Sequence, residues 1–431
     1  MLINHIENII LEKVVGGGQS IGTLDNGKKV FVWGGLPDEQ VVVEITKTKS
    51  RMAEGIVTDV VKPSKLRIQP RDPSSYLSTS PWQIMDFKTE QHYKAALIEE
   101  AFELHDIVLP ETIDIYSDKV EFNYRNKVEF SWYGDATDSG ETLDLAFFRR
   151  GSRGKIVVDG TSLARDEINI LARQIRDLLR SKKVTARSLK TLLIRSDQSG
   201  SCVWQLYVKD RLKNLINEKE AGKLSAQGGE VIYSDPRSPA SRITDRLASY
   251  GDVVLTDTVH DTPFRYATEG FFQINLPVYE QALTDMKQWV SDGPVVDLYS
   301  GVGSIGLTIG GDGVKLIEIN DDAVREMERN IELLGKKAEA ILAPSEKALD
   351  HITGKGTIIV DPPRAGLHMD VIDRLLETEP GRIIYLSCNP VTQARDVALL
   401  ATKYGIRAHR GYNFFPRTPH IENLVVLDLK A

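Results

Sequence analysis

The chain has 431 residues, of which 41% are hydrophobic and 27% charged, and a formal net charge of -7. One hydrophobic core rarely extends over so long a chain, so two or three domains are expected. The composition excludes disordered and fibrous classes. No window reaches the roughly 18 apolar residues of a membrane span, and the N-terminus lacks the pattern of a secretory signal. A cytoplasmic protein without membrane contact is therefore predicted.

Cysteine and charge usage narrow the chemistry. Cys202 and Cys388 are the only cysteines, so neither a disulfide framework nor a four-cysteine metal site can form. The acidic net charge argues mildly against a nucleic-acid partner, because phosphate binding depends on clustered Lys and Arg. Residues 146–190, however, hold twelve cations and four acids, a local balance of +8. A solvated helix face with basic loops explains this run about as well as an RNA-binding surface does.

Residues 1–66 predict a small β-barrel of a kind that often binds oligonucleotides. Apolar runs are separated by turns at Gly16–Gly18, Asp25–Gly27 and Leu36–Glu39, which is typical of hairpins. The basic tip at Lys47–Arg51 would contact phosphates, although an exposed hairpin without a partner fits nearly as well. A linker rich in Pro and Ser follows over 62–81.

A central α+β region is predicted next. From Asp86, a plausible N-cap, apolar residues recur at helical spacing. Alternation in VEFNYRNKVEFSW (120–132) predicts a strand pair. A basic helix is expected over 167–183.

The last third alternates apolar strands with helices, which predicts a Rossmann-like, doubly wound α/β domain with a mainly parallel sheet. The strands are VVDLYS, KLIEIN, GTIIVDPP and RIIYLSCNP. One helix is expected to begin with Asp321 or Asp322 as N-cap and to stop at Gly335. Ligands in such sheets bind at the carboxyl ends of the strands.

Three loops at those strand ends carry chemistry. DLYSGVGSIG (297–306) follows a strand and opens a helix, and the next strand ends in Glu318, placed to receive two ribose hydroxyls. This context favours a nucleoside-containing cofactor, either a dinucleotide or S-adenosylmethionine. Asp361 and Arg364 follow the third strand and Cys388 the fourth. Asn389 and Pro390 should stop that strand and leave the Cys388 sulfur facing the ligand, whereas Cys202 lies mid-strand and is interpreted as a core residue.

These loops, with FPRTPHIEN at 415–423, resemble the RNA uridine-5 methyltransferase family, which modifies tRNA and 23S rRNA. Residues 1–66 look like a TRAM domain, YRNKVEF like the family's central RNA-binding strand, and FFQIN (271–275) like its cofactor-approach motif. The resemblance implies that S-adenosylmethionine is bound by Gln273, Tyr299, Glu318 and Asp361, to which the glycine turn adds Gly301. It implies Cys388 as the nucleophile and Glu422 as the base. RNA contacts are expected from Arg125 and Lys127 in YRNKVEF, and from Arg149, Arg150 and Arg153 in the basic run.

The resemblance also divides the chain. A TRAM-like, OB-type barrel is expected at 1–66, a central RNA-binding domain at 67–82 with 116–262, and the methyltransferase domain at 83–115 with 263–431. A monomer is expected. Many family members carry an iron-sulfur cluster on four cysteines, but this chain has Asp72, Ser78, Pro81 and Ser162-Leu163 at those places. No iron-sulfur cluster and no other metal are therefore expected.

The chemistry is consistent with this family. Carbon 5 of uracil is a poor nucleophile until a thiolate adds to carbon 6, and a base must then remove the carbon 5 proton. His420 is an alternative to Glu422 as that base. Two rivals of other classes are an NAD-dependent oxidoreductase, which leaves SCNP and HIEN unexplained, and a non-catalytic RNA-binding protein, which leaves Cys388 and Glu422 unused. The TRAM-like barrel favours 23S rRNA over a tRNA T-loop uridine as the target.

Overall fold

The computed structural model describes residues 6–137, 140–212, 214–238 and 241–431. The chain forms two compact units. The first, unit 1, contains residues 1–90, 120–253 and 416–419. The second, unit 2, contains residues 91–119, 254–415 and 420–431. In the described part of the chain, no helix is both long enough and apolar enough to cross a membrane.

The N-terminal strands of unit 1 close into the predicted barrel. They are β1 (Ile6–Val14), β2 (Ser20–Thr23), β3 (Lys29–Trp33), β4 (Gln40–Thr48) and β5 (Met52–Lys62), in the order β1-β2-β3-β5-β4. Alternate residues of these strands point inward, as Val30 and Val32 on β3 and Val41 and Val43 on β4 do. The barrel therefore has its own apolar core.

The elements from residue 63 to residue 253 are, in chain order, α1 (Tyr76–Thr79), α2 (Phe87–Glu103), β6 (Ile115–Tyr116), β7 (Lys127–Tyr133), β8 (Ala136–Thr137), β9 (Gly140–Glu141), β10 (Asp144–Phe148), β11 (Lys155–Val157), α3 (Asp166–Ser181), a 3-10 turn (Ala186–Ser188), β12 (Leu189–Ser196), β13 (Cys202–Val208), α4 (Glu218–Ala221), β14 (Gly228–Tyr233) and β15 (Asp245–Gly251). A sheet of order β11-β10-β7-β12-β13-β14-β15 lies in unit 1. The apolar face of α3 covers it, with Ile168, Leu171, Ile175 and Leu179 buried at helical spacing.

The remaining elements are β16 (Val254–Val259), β17 (Thr262–Ala267), α5 (Leu276–Lys287), β18 (Val295–Leu298), α6 (Ser304–Ile309), β19 (Val314–Glu318), α7 (Asp321–Leu334), β20 (Ala338–Leu342), 3-10 turns at Ser345–Lys347 and Leu349–His351, β21 (Thr357–Val360), α8 (Met369–Thr378), β22 (Arg382–Ser387), α9 (Pro390–Leu400), β23 (Tyr404–Tyr412) and β24 (Glu422–Leu429). They build the predicted α/β domain. Its sheet has the order β20-β19-β18-β21-β22-β24-β23-β6, parallel from β20 to β22 and antiparallel at β24.

Two local predictions were wrong. Residues 120–126 do not form the first strand of a pair, because Asn123 has a left-handed φ of 55° and only Arg125 makes a β-bridge, to Ala164. The N-cap of α7 is Asn320, whose side chain accepts a hydrogen bond from the backbone N–H of Ala323. Asp321 and Asp322 occupy the first turn instead, where their charges favour the positive helix end. Gly335 ends α7 with φ 59°, as expected.

Candidate active site

The carboxyl ends of β18, β19, β21 and β22 meet at one cavity of about 880 Å³ in unit 2. The size suits a nucleoside cofactor together with one base. All seven residues predicted for the cofactor and for catalysis line it: Gln273, Tyr299, Gly301, Glu318, Asp361, Cys388 and Glu422. Separate motifs, spread over 150 residues of the chain, are thus brought to one place by the parallel sheet.

The glycine turn after β18 is tight. Tyr299, Gly301 and Gly303 all have left-handed φ angles, of 64°, 58° and 85°. Glycine is required at Gly306 for a different reason, since a Cβ atom there would lie 2.3 Å from the Leu316 side chain. The turn is also joined to the next strand, because the Gly301 N–H donates to Glu318 Oε2 at 2.9 Å. The loop therefore holds a fixed shape beside the carboxylate.

Glu318 is held by two backbone donors. Besides Gly301, the N–H of Asn320 donates to its Oε1 at 2.8 Å. The large apolar residues Phe271 and Ile319 are 71% and 66% exposed, and both line the cavity next to this carboxylate. A fixed carboxylate for ribose hydroxyls and apolar surfaces for an aromatic base fit the nucleoside part of S-adenosylmethionine. Ile319 was not singled out from the sequence, although it directly follows the strand-end acid.

Cys388 and Glu422 are neighbours because of strand register. Ser387 of β22 pairs with Asn423 of β24 in antiparallel register. The next residue on one strand is Cys388 and the preceding residue on the other is Glu422, so the two lie across from each other. Cys388 is partly buried and Glu422 is 5% exposed. The thiol and the carboxyl group therefore share one edge of the sheet.

The Asn389-Pro390 pair ends β22 as predicted. Pro390 opens α9, and the Asn389 side chain accepts a hydrogen bond from the Val391 N–H. The amide nitrogen of Asn389 also donates to the Arg364 carbonyl at 2.8 Å. The loop after β21 is thereby fastened to the turn that carries Cys388. At the same rim, Arg364 Nη2 lies 2.9 Å from His420 Nδ1, and the His420 ring meets the edge of Phe415.

Three acidic groups of this cavity, Asp361, Glu422 and Cys388, have raised pKa values. Burial raises the pKa of Asp361, and burial together with Asp361 raises the pKa of Glu422 well above its usual range. The pKa of Cys388 is raised to about 11, first by burial and then by the Glu422 and Asp361 charges, against the opposing effect of Arg364. A ligand that brings positive charge would relieve these carboxylates. The sulfonium of S-adenosylmethionine is such a ligand.

Two protein-family models match this chain, one near its N-terminus and one near its C-terminus. Residues 6–58 match the model of the TRAM domain, and residues 347–430 match that of the tRNA (uracil-5-)-methyltransferases. The second match covers Asp361, Cys388 and Glu422. The chain thus carries a TRAM domain and a tRNA (uracil-5-)-methyltransferase domain. It is an S-adenosylmethionine-dependent enzyme, and the cavity described above fits that cofactor.

Two relatives match this chain over nearly its full length. An uncharacterized RNA methyltransferase of Fusobacterium nucleatum is 27% identical over 99% of this chain and 97% of the relative. One of Nitratidesulfovibrio vulgaris is also 27% identical, over 98% and 96%. The crystal structure of a tRNA (uracil-54, C5)-methyltransferase from Pyrococcus abyssi matches with a TM-score of 0.79 and 22% identity, covering 98% of this chain and 100% of the other. That likeness shows the fold.

Two of the residues at the expected cluster positions, Asp72 and Ser162, take part in a polar network. The Asp72 carboxylate accepts hydrogen bonds from Ser162 Oγ at 2.8 Å and from Gln83 Nε2 at 3.1 Å. The Gln83 amide also donates to Ser80 Oγ at 2.7 Å. Within the described ranges, no group of three or more His, Cys, Asp or Glu side chains could hold a metal ion. The absence of an iron-sulfur cluster stays a prediction.

Unit 1 holds the residues predicted to bind RNA, in two places. Arg125 and Lys127 line a cavity of about 360 Å³ together with Phe147. Arg149 and Arg153 are exposed on the turn between β10 and β11. Arg150 of that turn differs: its guanidinium lies 4.1 Å from the Trp33 ring and donates to the Leu77 carbonyl. Its predicted RNA contact competes with these internal ones.

Most other cations of the basic run are engaged inside unit 1. Besides Arg150, the cations whose side chains form hydrogen bonds or ion pairs within that unit are Lys155, Arg165, Arg173, Arg176, Arg180, Lys182 and Lys190. Arg180, for example, pairs with Asp144, and Lys182 with Glu220. Much of the local excess of +8 thus holds α3 and its neighbours together. These ion pairs account for the charge of α3 without RNA, although the cations are paired and not simply solvated, and they leave the exposed arginines of the turn at 149–153 unexplained.

Proposed function

We propose that this enzyme transfers a methyl group from S-adenosylmethionine to carbon 5 of a uridine in 23S rRNA, through a covalent bond between Cys388 and carbon 6. The observation that carries the proposal is the register of β22 and β24, which sets Cys388 beside Glu422 in the cavity that also contains the glycine turn and Glu318. A nucleophile and a carboxyl group side by side suit addition followed by proton removal.

Cys388 acts first. Its thiolate adds to carbon 6 of the uracil ring, and the electron pair of the 5,6 double bond becomes an enolate that makes carbon 5 nucleophilic. When bound, S-adenosylmethionine supplies the methyl group for carbon 5 and a positive charge that offsets the carboxylates around the thiol. That charge favours the thiolate, whose formation in the ligand-free cavity is opposed by burial and by Glu422.

Glu422 acts last. After methylation, carbon 5 carries both a proton and the new methyl group, and its C–H bond must break so that the thiolate can leave carbon 6. A carboxylate whose pKa is raised by burial is a stronger base than an exposed one. Glu422 takes the proton, the double bond re-forms and Cys388 is released. His420 is bound to Arg364 through Nδ1 at the same rim, which suits a role in holding that loop.

The barrel supports an rRNA target, since the TRAM-like segment is generally missing from bacterial tRNA enzymes of this family. A tRNA uridine is the second candidate, because the Pyrococcus abyssi protein, whose fold matches over 98% of this chain, is a tRNA (uracil-54, C5)-methyltransferase. A monomeric, cytoplasmic enzyme is part of the proposal. Light scattering of the purified protein checks the monomer.

The deciding experiment compares RNA from a strain that lacks the gene with RNA from its parent. We expect 5-methyluridine to disappear from one site of 23S rRNA and to return when the purified enzyme and S-adenosylmethionine are added to that rRNA. Loss from tRNA alone would replace the rRNA target by the second candidate. Unchanged 5-methyluridine in both RNAs, with no methyl transfer in vitro, would overturn the proposed reaction.

A further inference from the structure

Phe148 is an exposed aromatic residue in a position that the proposed catalytic cavity does not use. It ends β10 and is 60% exposed, whereas the preceding Phe147 faces the other way and stacks on Phe130 with ring centroids 5.3 Å apart. Phe148 pairs in register with Lys155 of the edge strand β11. The Lys155 ammonium lies 5.2 Å from the Phe148 ring centroid and donates to the Trp132 carbonyl. The ring is thus supported by a neighbour while most of it meets solvent.

The turn that follows Phe148 is held in place. The side chain of Arg150 points inward to Trp33 and to the Leu77 carbonyl. Gly151 has φ 74°, and a Cβ atom there would lie 2.5 Å from the Ile56 side chain. The Arg149 N–H closes the turn by donating to the Gly154 carbonyl. The backbone is therefore fastened to the barrel of unit 1 before any ligand arrives, which lowers the entropy cost of binding.

The outward side of this turn is basic. Arg149 and Arg153 are exposed, and residues 145–158 contain no Asp or Glu. An exposed ring followed in the sequence by two exposed arginines matches the needs of unpaired RNA, whose bases stack on aromatic rings while its phosphates pair with arginine. Duplex RNA has no free base face for such a ring.

We propose that Phe148, Arg149 and Arg153 form a stacking site, the Phe148 platform, for one unpaired nucleotide of the RNA substrate. The base stacks on Phe148, and the two arginines bind the adjoining phosphates. The platform rests on the proposed function, because it takes RNA as the substrate. It belongs to unit 1, whereas the cavity that contains Cys388 and Glu422 belongs to unit 2.

The test measures the affinity of the full-length protein for a labelled single-stranded 12-mer of oligouridylate and for a matched RNA duplex. Phe148→Ala should weaken single-strand binding about 5- to 150-fold, the effect of losing one stacked base, and should leave the salt dependence unchanged. Phe148→Trp should bind the single strand about as tightly as the parent, because tryptophan also offers a ring for stacking. Arg149→Ala and Arg153→Ala should each flatten the slope of log K against log salt by about 0.7.

Val157→Ala is the matched control, since Val157 is a 45% exposed apolar residue on the adjoining edge strand. It should bind like the parent. Parent-like single-strand binding by Phe148→Ala would overturn the platform. Equal losses on single strand and duplex, or full rescue by Phe148→Leu, would also overturn it, because neither fits base stacking. If the parent methylates rRNA while Phe148→Ala is unchanged in binding, the platform alone is wrong. A parent that binds neither probe would overturn the platform, whereas the proposed function stands or falls with the methylation experiment described above.

Discussion

The catalytic cavity of unit 2 and the basic segment 146–190 of unit 1 were both singled out from the sequence, but the structure treats the two sets of residues differently. In the cavity, residues far apart in sequence came together, because Tyr299, Glu318, Asp361 and Cys388 stand at the carboxyl ends of parallel strands in one sheet, while Glu422 opens the antiparallel β24 at the same edge. In the basic segment, residues close in sequence have different environments. The Arg150 side chain packs against Trp33, whereas Arg149 and Arg153 are exposed. Strand topology is a strong guide to a site, and local charge count is a weak one.

The two cysteines give the largest expected effect. Cys388→Ala should lower methyl transfer by on the order of 10⁴-fold or more, as loss of a covalent nucleophile does. The affinity for S-adenosylmethionine, measured by calorimetry, should stay close to that of the parent, because the thiol reacts with the uracil ring and not with the cofactor. Cys202→Ala is the control, since Cys202 is buried in the core of unit 1 and should leave activity intact. Substantial turnover by Cys388→Ala would exclude the covalent route.

Glu422→Gln should have a smaller effect on a different step. Addition and methylation still proceed, but elimination stalls for lack of a base, so turnover should fall about 10²- to 10⁴-fold. A covalent enzyme–RNA adduct should accumulate on a denaturing gel. The matched variant His420→Gln should turn over without accumulating the adduct. If His420→Gln traps the adduct and Glu422→Gln does not, the base is His420.

The pH dependence of Cys388 follows from its raised pKa of about 11. A thiol below its pKa gains thiolate about tenfold per pH unit, so alkylation of the ligand-free protein by iodoacetamide should rise steadily from pH 7 to pH 10. Burial and the charges of Glu422 and Asp361 raise this pKa, so Glu422→Gln should move the profile to lower pH. Cys202, whose buried thiol has a pKa raised to about 12, should react far more slowly. A rate already constant at pH 7 would contradict the raised pKa.

Arg150 and Arg149 are a matched pair within the basic turn. Arg150→Ala removes a cation–π contact and a hydrogen bond, and should lower the free energy of unfolding by about 1–3 kcal/mol. Arg149→Ala should change it by less than about 0.5 kcal/mol. Urea unfolding followed by tryptophan fluorescence measures both. Equal losses in the free energy of unfolding would contradict the view that Arg150 stabilises the fold while Arg149 does not.

The smallest expected effect is none at all. Protein purified without oxygen should be colourless and free of stoichiometric iron, since two cysteines cannot supply the usual four thiolate ligands of an iron-sulfur cluster. Asp72→Asn should therefore leave the visible spectrum unchanged. Its effect should be on the stability of unit 1, where the carboxylate accepts from Ser162 and Gln83. A brown preparation with about four irons per chain would contradict the prediction.

Local chemistry along the chain was enough to predict the barrel, the doubly wound sheet and a set of residues that the structure brings to one cavity. Apolar runs and turn residues specify strands and turns through interactions within a few residues of the chain, and motifs such as those at Asp361 and Cys388 directly follow a strand. Such local features can be identified from the sequence alone. It could not show which cations would face solvent. Arg150 packs against Trp33, over a hundred residues away in the chain, and such long-range contacts depend on tertiary packing that no local sequence pattern records. The left-handed Asn123, which replaced a predicted strand, and the register that sets Cys388 beside Glu422 likewise emerge only when distant segments pack and pair.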